Sequence, residues 1–443
     1  MSAFARGSRR SRESHRSVGA RSPVRRLLFA GLLLVVPAAL CAQAPRDSLV
    51  ASVLTMGPGD EVFERFGHIS IRLRDLRTGA DTAYNWGMFS FDQPRFLQRF
   101  LTGDTRYWME GFPAVPLIEW YRKSGRWVTE QELELTPAQA DSLRRFIQWN
   151  ALEEHKWYRY DYYRDNCSTR VRDALDMVLG GAFHRAVATH AHGVTHRSET
   201  LRLSAAYPAL DVAMDFALGR RADSMMSAWE ELFIPMRLRE LIRDVRLQRD
   251  DGTIAPLVRA ERALVLDDRY AERPAPPDLF WPLFAAGLGS ASMVLLLGRL
   301  AARSMPARWA LGAAGAAWHF ILGSAGLLVL YLGLFTRHTF MAQNSNLLLA
   351  TPGSLALAVL IPVAIVRPGG RAGRAARALT VLASIGALVA LAVHLPMFPV
   401  QANGPLLALA LPVHVAFALA IRTATIVADG DRRTPPVRAG SFG

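Results

Sequence analysis

The sequence has very little cysteine, with only Cys41 and Cys167 in 443 residues. So few cysteines exclude a disulfide-rich secreted domain and zinc sites built from several thiolates. A Gly-rich phosphate loop and a known nucleic-acid-binding motif are also missing. The formal net charge is +14, but the arginines lie in the leader, in short loops between apolar runs and in the tail. We therefore attribute this charge to membrane topology and predict no nucleic-acid partner.

Residues 1–44 have the pattern of an export signal. An Arg- and Ser-rich start precedes the apolar run LLFAGLLLVVPAALCAQA, which has the length and the small following residues of a signal peptide. Leu40, directly before Cys41, argues against lipidation of that cysteine. Cleavage at the small residues that follow would leave Cys167 as the only cysteine, so we expect a free thiol there.

Long runs with almost no charged residues begin after residue 277 and predict a membrane domain. Five of them approach the roughly 20 residues that cross a bilayer, namely 279–298, 309–335, 347–366, 378–395 and 405–421. Arg-rich loops follow the first, third and fifth runs, and the positive-inside rule places such loops in the cytoplasm. The expected order is a periplasmic domain at 45–277, a domain of about five spans at 278–425 and a cytoplasmic tail at 426–443, in the bacterial inner membrane.

Cys167 lies at the predicted start of a helix. In NCSTRVRDALDMVLGG the apolar residues recur at i, i+3, i+4, i+7 and i+8, Asn166 is a suitable N-cap, and Gly180 and Gly181 favour a stop. Free amides and the helix dipole in a first turn can lower the pKa of a thiol. A lone cysteine is often just a small buried residue, but the polar stretch RDNCSTR favours a reactive one.

His68 is the best candidate for a base. It opens HISIRLRD, whose alternation predicts a half-buried strand with His68 on the face opposite the apolar one, and Gly67 before it permits close backbone approach. A turn at RTGAD leads to a second predicted strand, TAYNWGMFSF, which carries Asn85. A helix-tip Cys, a strand His and a polar group that orients the His form the arrangement used for nucleophilic acyl chemistry. The alternative is a structural histidine.

The segment THAHGVTH is a rival site because His190, His192 and His196 resemble a metal-binding run. No acidic residue is close in the sequence, and Gly193 indicates a loop. We therefore favour a solvated segment and predict no metal and no other cofactor.

Several separated motifs resemble one known family. The stretches ERFGHISIRLRD, YNWGMFSFDQPRFLQRFLTGDTRYW and YRYDYYRDNCSTRVRDAL are similar to signatures of the Lnb-type N-terminal periplasmic domain family. ADSMMSAWEELFIPMRLRELI resembles its later soluble segment, and RHTFMAQNSNLLLATPGSL resembles the signature leading into its membrane half. The resemblance covers residues 47–366. Trp86 departs from it, because Tyr is frequent at that place.

The resemblance implies an α+β fold of the circularly permuted papain-like (NlpC) type, in which the His strand precedes the Cys helix, followed by an all-α multi-span membrane domain. Some members are lipoprotein N-acyltransferases, which move an acyl chain from phospholipid to the amino group of a diacylglyceryl cysteine. By position Cys167 would be the nucleophile and His68 the base. Asn85 as the orienting group follows from strand order. Phospholipid and lipoprotein are then the expected partners.

A predicted outer loop carries His338, Asn344 and Asn346 on the same side of the membrane as Cys167. We expect these residues to bind a lipid head group or to orient the acceptor amine, with helix capping or interface anchoring as the alternative. Two other functions stay open for the whole chain. One is a periplasmic cysteine hydrolase, either a peptidase or amidase or a phospholipase, and the other is a non-enzymatic membrane-anchored assembly factor.

Overall fold

A computed structural model describes residues 49–249, 252–367, 370–395, 397–398 and 400–433. The predicted leader, with Cys41, and the last part of the predicted tail lie outside these ranges. The described chain forms a mixed domain of strands and helices followed by a helical domain, which confirms the predicted α+β class with an all-α second part.

The first domain is built on a seven-stranded antiparallel sheet. Its strand order is β6-β4-β3-β2-β1-β5-β9, and the predicted pairing of the two strands around RTGAD is confirmed, with Ile71 opposite Tyr84. The strands are Leu49–Met56 (β1), His68–Asp75 (β2), Asp81–Met88 (β3), Arg106–Pro113 (β4), Val128–Leu133 (β5), Trp157–Arg159 (β6) and Val258–Val265 (β9). A small separate hairpin consists of Arg246–Gln248 (β7) and Ile254–Pro256 (β8).

Helices cover both faces of this sheet. The helices of the domain are Phe96–Thr102 (α1), Ala114–Lys123 (α2), Pro137–Asn150 (α3), Cys167–Val178 (α4), Ala182–Val187 (α5), His196–Ser204 (α6), Pro208–Ala217 (α7), Ala228–Glu231 (α8) and Pro235–Asp244 (α9). One core places α3, α4 and α9 on the β2 face that carries Ile69 and Ile71. A second core places α2, through Leu117 and Tyr121, on the opposite face of β1.

The two covered faces correct the prediction that β2 is half-buried. Ser70 is fully buried and Arg72 is 8% exposed, although both belong to the predicted polar face. Arg72 is satisfied there by ion pairs with Asp81 and Glu130, as a buried charge requires. Strand alternation identified the two faces of β2. It could not predict that the polar face is covered, because α2 comes from a later part of the chain.

Within the described residues, the second domain contains four helices that are long and apolar enough to cross a membrane. They are Phe280–Ala301 (α10), Met305–Phe335 (α11), Arg371–Ala392 (α13) and Gly404–Arg433 (α14), with the apolar window of α14 ending at Thr425. The third predicted span contains only the 13-residue helix Ser354–Val366 (α12). At 1.5 Å per residue this helix measures about 20 Å, less than the roughly 30 Å of a hydrocarbon core.

The third segment departs from a full span because its first half is not helical. A 3-10 turn at Ser345–Leu348 precedes α12, and Pro352 with Gly353 interrupts the apolar run. The backbone between the turn and α12 packs beside α11, since the carbonyl of Ala350 lies against Gly326. His414 Nε2 hydrogen-bonds the carbonyl of Leu349 at 2.9 Å. Non-helical backbone at this depth is tolerated where protein groups satisfy it in this way.

Candidate active site

Cys167 is the first residue of α4 and is a half-buried free thiol. Asn166 caps the helix as predicted, because its Oδ1 accepts the amides of Ser168 and Thr169 at 2.9 Å each. Thr169 Oγ1 accepts the Asn166 amide in return at 2.8 Å, which completes a capping box. The helix ends at Val178, just before the predicted glycine stop. This local chemistry holds the thiol at the mouth of the helix.

The start of β2 lies directly beside the thiol. The backbone amide of Ile69, the residue after His68, donates a hydrogen bond to the Cys167 sulfur. Gly67 has a φ of +72°, and a Cβ on it would lie 2.9 Å from the carbonyl oxygen of Met56. The predicted close backbone approach at Gly67 is therefore present, and only glycine fits there without strain.

The end of β3 forms the other wall of the site. Gly87 has a φ of +90°, and a Cβ on it would lie 3.6 Å from Cys167 Cβ. Asn85, two residues earlier on the same strand, is fully buried. Trp86 between them, the departure from the family pattern, points into the core and donates its indole N–H to Asn150 Oδ1 at 2.7 Å.

Asn85 and His68 are hydrogen-bonded to each other. Their contact joins His68 Nε2 and Asn85 Oδ1 at 3.1 Å, and Asn85 is itself held by a bond from its Nδ2 to the carbonyl of Ala83. A carboxamide oxygen only accepts hydrogen bonds, so the His68 proton is assigned to Nε2 and the lone pair to Nδ1. The orienting role predicted for Asn85 fits this geometry, and the imidazole keeps one basic nitrogen free for a proton.

Burial keeps the His68 imidazole neutral. Loss of solvation lowers its pKa to about 4, with a further decrease from the nearby Arg126 cation, while the hydrogen bond to Asn85 raises it. Desolvation disfavours the charged form and is the largest of these effects. At neutral pH His68 is therefore an unprotonated base.

The thiol departs from the prediction that the helix mouth lowers its pKa. The amides of Ile69, Ser168 and Cys167 do lower it, as does Arg126, but burial outweighs them and raises the pKa to about 11. The loss of solvation destabilises the thiolate more than the hydrogen bonds from the amides stabilise it. At rest the Cys167 thiol and the His68 imidazole are thus both neutral and do not form an ion pair.

The first-turn amides of Cys167 and Ser168 are candidates for stabilising an oxyanion that develops at the thiol. The Ser168 amide is used by Asn166 Oδ1 at 2.9 Å. The Cys167 amide lies beside the thiol and beside Gly87. The geometry therefore favours the Cys167 amide for stabilising a developing oxyanion.

Arg126 was not identified in the sequence and is part of this site. Its side chain is buried, donates Nε–H to the carbonyl of Gly57 at 2.8 Å, pairs with Glu64 at 2.9 Å and lies over the Tyr121 ring. The Nη2 atom has no hydrogen-bond partner among the described residues. Its charge lowers the pKa of both His68 and Cys167. No local signal marks one arginine among the many in this sequence, because its polar contacts are with Gly57 and Glu64, more than 60 residues earlier in the chain.

The predicted outer-loop residues make contacts between the two domains. His338 Nε2 donates to the carbonyl of Phe100 in α1 at 2.9 Å. Asn344 Nδ2 donates to the carbonyls of Phe216 and Ala217 at 2.9 Å each, and Asn346 Nδ2 also donates to Phe216. These are the last carbonyls of α7, which an isolated helix leaves unpaired. The contacts favour the capping alternative for both asparagines.

The histidine run does not converge on one point. His190 is exposed, His192 Nδ1 lies 2.5 Å from Glu231 Oε2, and His196 is buried against Tyr163 and Phe340. The burial of His196 differs from the solvated segment that we predicted. Over the described part of the chain, no three His, Cys, Asp or Glu side chains are grouped so that they could hold a metal ion.

Comparison with known proteins identifies the domain that carries the site. Residues 38–202 match the family model described as Lnb N-terminal periplasmic domain. No curated protein and no solved structure matches the chain. Together with the four apolar helices, the match describes a membrane protein with a periplasmic domain. The matched segment contains His68, Asn85 and Cys167 and bears out the resemblance of the sequence motifs, so that residues 38–202 are similar to the Lnb N-terminal periplasmic domain family.

Proposed function

We propose that this protein is a thiol-dependent acyltransferase of the inner membrane, which moves an acyl chain from a phospholipid through a Cys167 thioester to the terminal amine of a lipoprotein. The observation that carries the proposal is the meeting of Cys167 with the His68 strand, where Asn85 holds the imidazole at 3.1 Å. The order of His strand and Cys helix in the chain supports a circularly permuted papain-like fold.

The first step would form the acyl-enzyme. His68 Nδ1 takes the thiol proton as Cys167 Sγ attacks the ester carbonyl of the phospholipid, and the Cys167 amide supports the oxyanion. The tetrahedral intermediate then collapses, the C–O bond breaks, and the imidazolium returns its proton to the leaving alkoxide. The products are the Cys167 thioester and a lysophospholipid. Because both groups are neutral at rest, the proton transfer accompanies the attack.

The second step would release the acyl group to an amine. A neutral amine attacks the thioester carbonyl, the C–S bond breaks, and the amine proton passes through His68 to the departing thiolate. The product is an amide, and Cys167 returns to the thiol. The same imidazole serves as base and then as acid, so no metal or organic cofactor is required.

The membrane domain favours a lipid substrate. Four apolar helices anchor the catalytic domain, and the contacts of α1 and α7 with the loop after α11 hold that domain against the membrane end. A phospholipid donor and a lipid-anchored acceptor are both confined to this surface, so the two reactants stay close to the thiol.

Hydrolysis is the second candidate, because the half-buried thiol leaves an opening through which water can also reach a thioester. A cysteine peptidase, amidase or phospholipase would use the same His68 and Cys167. A non-enzymatic assembly factor is the third, and it would need neither group for activity.

The decisive experiment is the intact mass of the full-length protein after incubation with phospholipid vesicles. We expect the wild type to gain one acyl chain that hydroxylamine removes, and Cys167→Ala to gain none. Cys41→Ser is the matched control and should keep the adduct, because that cysteine lies in the predicted leader. His68→Ala should slow adduct formation by about 10² to 10⁴.

The fate of the adduct separates the three functions. Decay that depends on an added diacylglyceryl peptide with a free amine, with the acyl chain recovered on that peptide, supports transfer. Decay in buffer at the same rate without the peptide indicates a hydrolase. A folded wild type that never gains the acyl chain, together with a Cys167→Ala variant that retains cellular function, would exclude both enzymes.

A further inference from the structure

The periplasmic domain exposes an apolar surface beside the candidate active site. We call it the aromatic lip and define it as Phe63, Phe91, Leu97, Phe100 and Leu101. Leu97 is 69% exposed, Phe91 60% and Phe100 51%. Phe63 and Phe91 are in ring contact, and Leu97, Phe100 and Leu101 belong to α1. A contiguous apolar surface of this kind marks an interaction site in a folded domain.

The lip continues the lipid-facing surface of α11. The Arg337 amide donates to the carbonyl of Thr102 at 3.0 Å, and His338 Nε2 donates to the carbonyl of Phe100 at 2.9 Å. These bonds fix α1 at the outer end of α11, where Leu334 and Phe335 are 66% and 71% exposed. The side chains that face lipid on α11 thus lead directly into the lip.

The polarity of α1 fits a membrane interface. Its apolar residues Phe96, Leu97, Phe100 and Leu101 lie on one side of the helix, since they are spaced at i, i+1, i+4 and i+5. Arg99 lies on the other side and Arg95 directly precedes the helix as its N-cap, and both can reach the phosphates of anionic lipids. An amphipathic helix with aromatic residues on one side and arginine on the other is typical of segments that lie in the interface plane.

A row of aromatic rings connects the lip with the thiol. The Phe91 ring contacts Phe89 with centroids 5.2 Å apart, Phe89 stacks on Tyr107 at 5.0 Å, and Tyr107 stacks on Tyr160 at 4.2 Å. Tyr160 is close enough to Cys167 that a thiolate there would raise the pKa of its hydroxyl. The ring contacts therefore lead from Phe91 in the lip to Tyr160, on the side of the domain that holds Cys167.

We propose that the aromatic lip inserts into the outer leaflet around the end of α11 and guides phospholipid acyl chains sideways to Cys167. The insertion rests on the lip and its contacts with α11 alone, whereas the delivery of an acyl chain rests on the proposed acyltransferase function. The occupant of the lip is the bilayer itself, because the lip is continuous with a helix that is already in the bilayer.

Insertion is tested by depth-dependent quenching. A bimane label is attached at Leu97→Cys in a Cys41→Ser, Cys167→Ala background, and the full-length protein is reconstituted with bromine-labelled phospholipids. The matched control is Leu76→Cys, because Leu76 is 61% exposed and lies in the turn after β2, at the opposite end of that strand from His68. We expect at least threefold stronger quenching at 97 than at 76, as the label at 97 alone would lie among acyl chains. Equal quenching at both positions would overturn the insertion.

Delivery is tested by the rate of acyl-adduct formation on Cys167. Leu97→Ser should lower the rate from vesicles about tenfold, with an unchanged melting temperature because the side chain is exposed, and Leu76→Ser is the control. A wild-type rate for Leu97→Ser would overturn the delivery. If the wild type forms no adduct, the acyltransferase proposal and the delivery fail together, while the quenching result still decides whether the lip inserts.

Discussion

The pH dependence of Cys167 alkylation tests the resting protonation states of Cys167 and His68. We expect the rate with iodoacetamide to rise continuously with pH from 6 to 10, with no plateau near neutrality. Burial raises the thiol pKa from its ordinary value of 9.0 to about 11 and lowers the His68 pKa to about 4. Neither shift favours a thiolate-imidazolium pair at pH 7.

The size of the effect follows from these values. At pH 7 a thiol of pKa 11 has a thiolate fraction of about 10⁻⁴, against about 10⁻² at a pKa of 9. A more basic thiolate is also the better nucleophile, and a Brønsted slope of about 0.45 raises the rate constant of the thiolate roughly eightfold. Folded Cys167 should therefore react about tenfold more slowly than the same residue in urea.

The assay uses the full-length protein in detergent micelles. Alkylation is followed on the proteolytic peptide that contains Cys167, which separates it from Cys41, and the urea-denatured protein is the reference. His68→Ala should hardly change the alkylation profile, because a neutral imidazole adds no charge near the sulfur. The same variant should slow acyl-adduct formation by about 10² to 10⁴, since that step requires a base.

One result would refute this reasoning. If alkylation is constant between pH 5 and pH 8 and His68→Ala abolishes that plateau, the resting state is an ion pair. The amide donors and Arg126 would then outweigh burial, and His68 would act first as an acid.

Two further predictions concern positions around the site. Gly87→Ala and Gly79→Ala should each lower the free energy of unfolding by about 1 kcal/mol, because both glycines have φ values of +75° or more. Only Gly87→Ala should also slow acyl transfer, since its Cβ faces Cys167 while the space around Gly79 is open. Equal acyl-transfer rates for the two variants would contradict this. His196→Phe should stabilise the protein by about 2 kcal/mol more at pH 5 than at pH 8 in denaturant titrations. Burial lowers the His196 pKa to about 4, so the wild type loses stability as pH falls below 6.5, whereas the variant does not. A stabilisation that does not depend on pH would refute this prediction.

Several features were predictable because they depend on neighbours in the chain. Asn166 accepts the amides of Ser168 and Thr169, so the start of α4 could be predicted from the residues directly around it. The alternation of HISIRLRD and the turn after it predicted the pairing of β2 with β3, and that pairing brings Asn85 to His68. Long uncharged runs predicted the membrane helices, since hydropathy is a local property.

Other features depend on segments far apart in the chain. α2 packs on the face of the sheet opposite Ile69 and Ile71. The burial that raises the thiol pKa likewise depends on everything packed around Cys167. Arg126 reaches the site only because β5 pairs with β1. The third apolar run is interrupted by a non-helical stretch before α12, where His414 of α14 satisfies its backbone.

The sequence by itself determined the two-domain order, the candidate nucleophile and base, and the resemblance of residues 38–202 to a known family. The tertiary structure alone decided the protonation of that pair, the capping of α7 by Asn344 and Asn346, and the continuity of the aromatic lip with α11. The physical reason is that propensity, capping and hydropathy act over a few residues, whereas solvation depends on everything packed around a group.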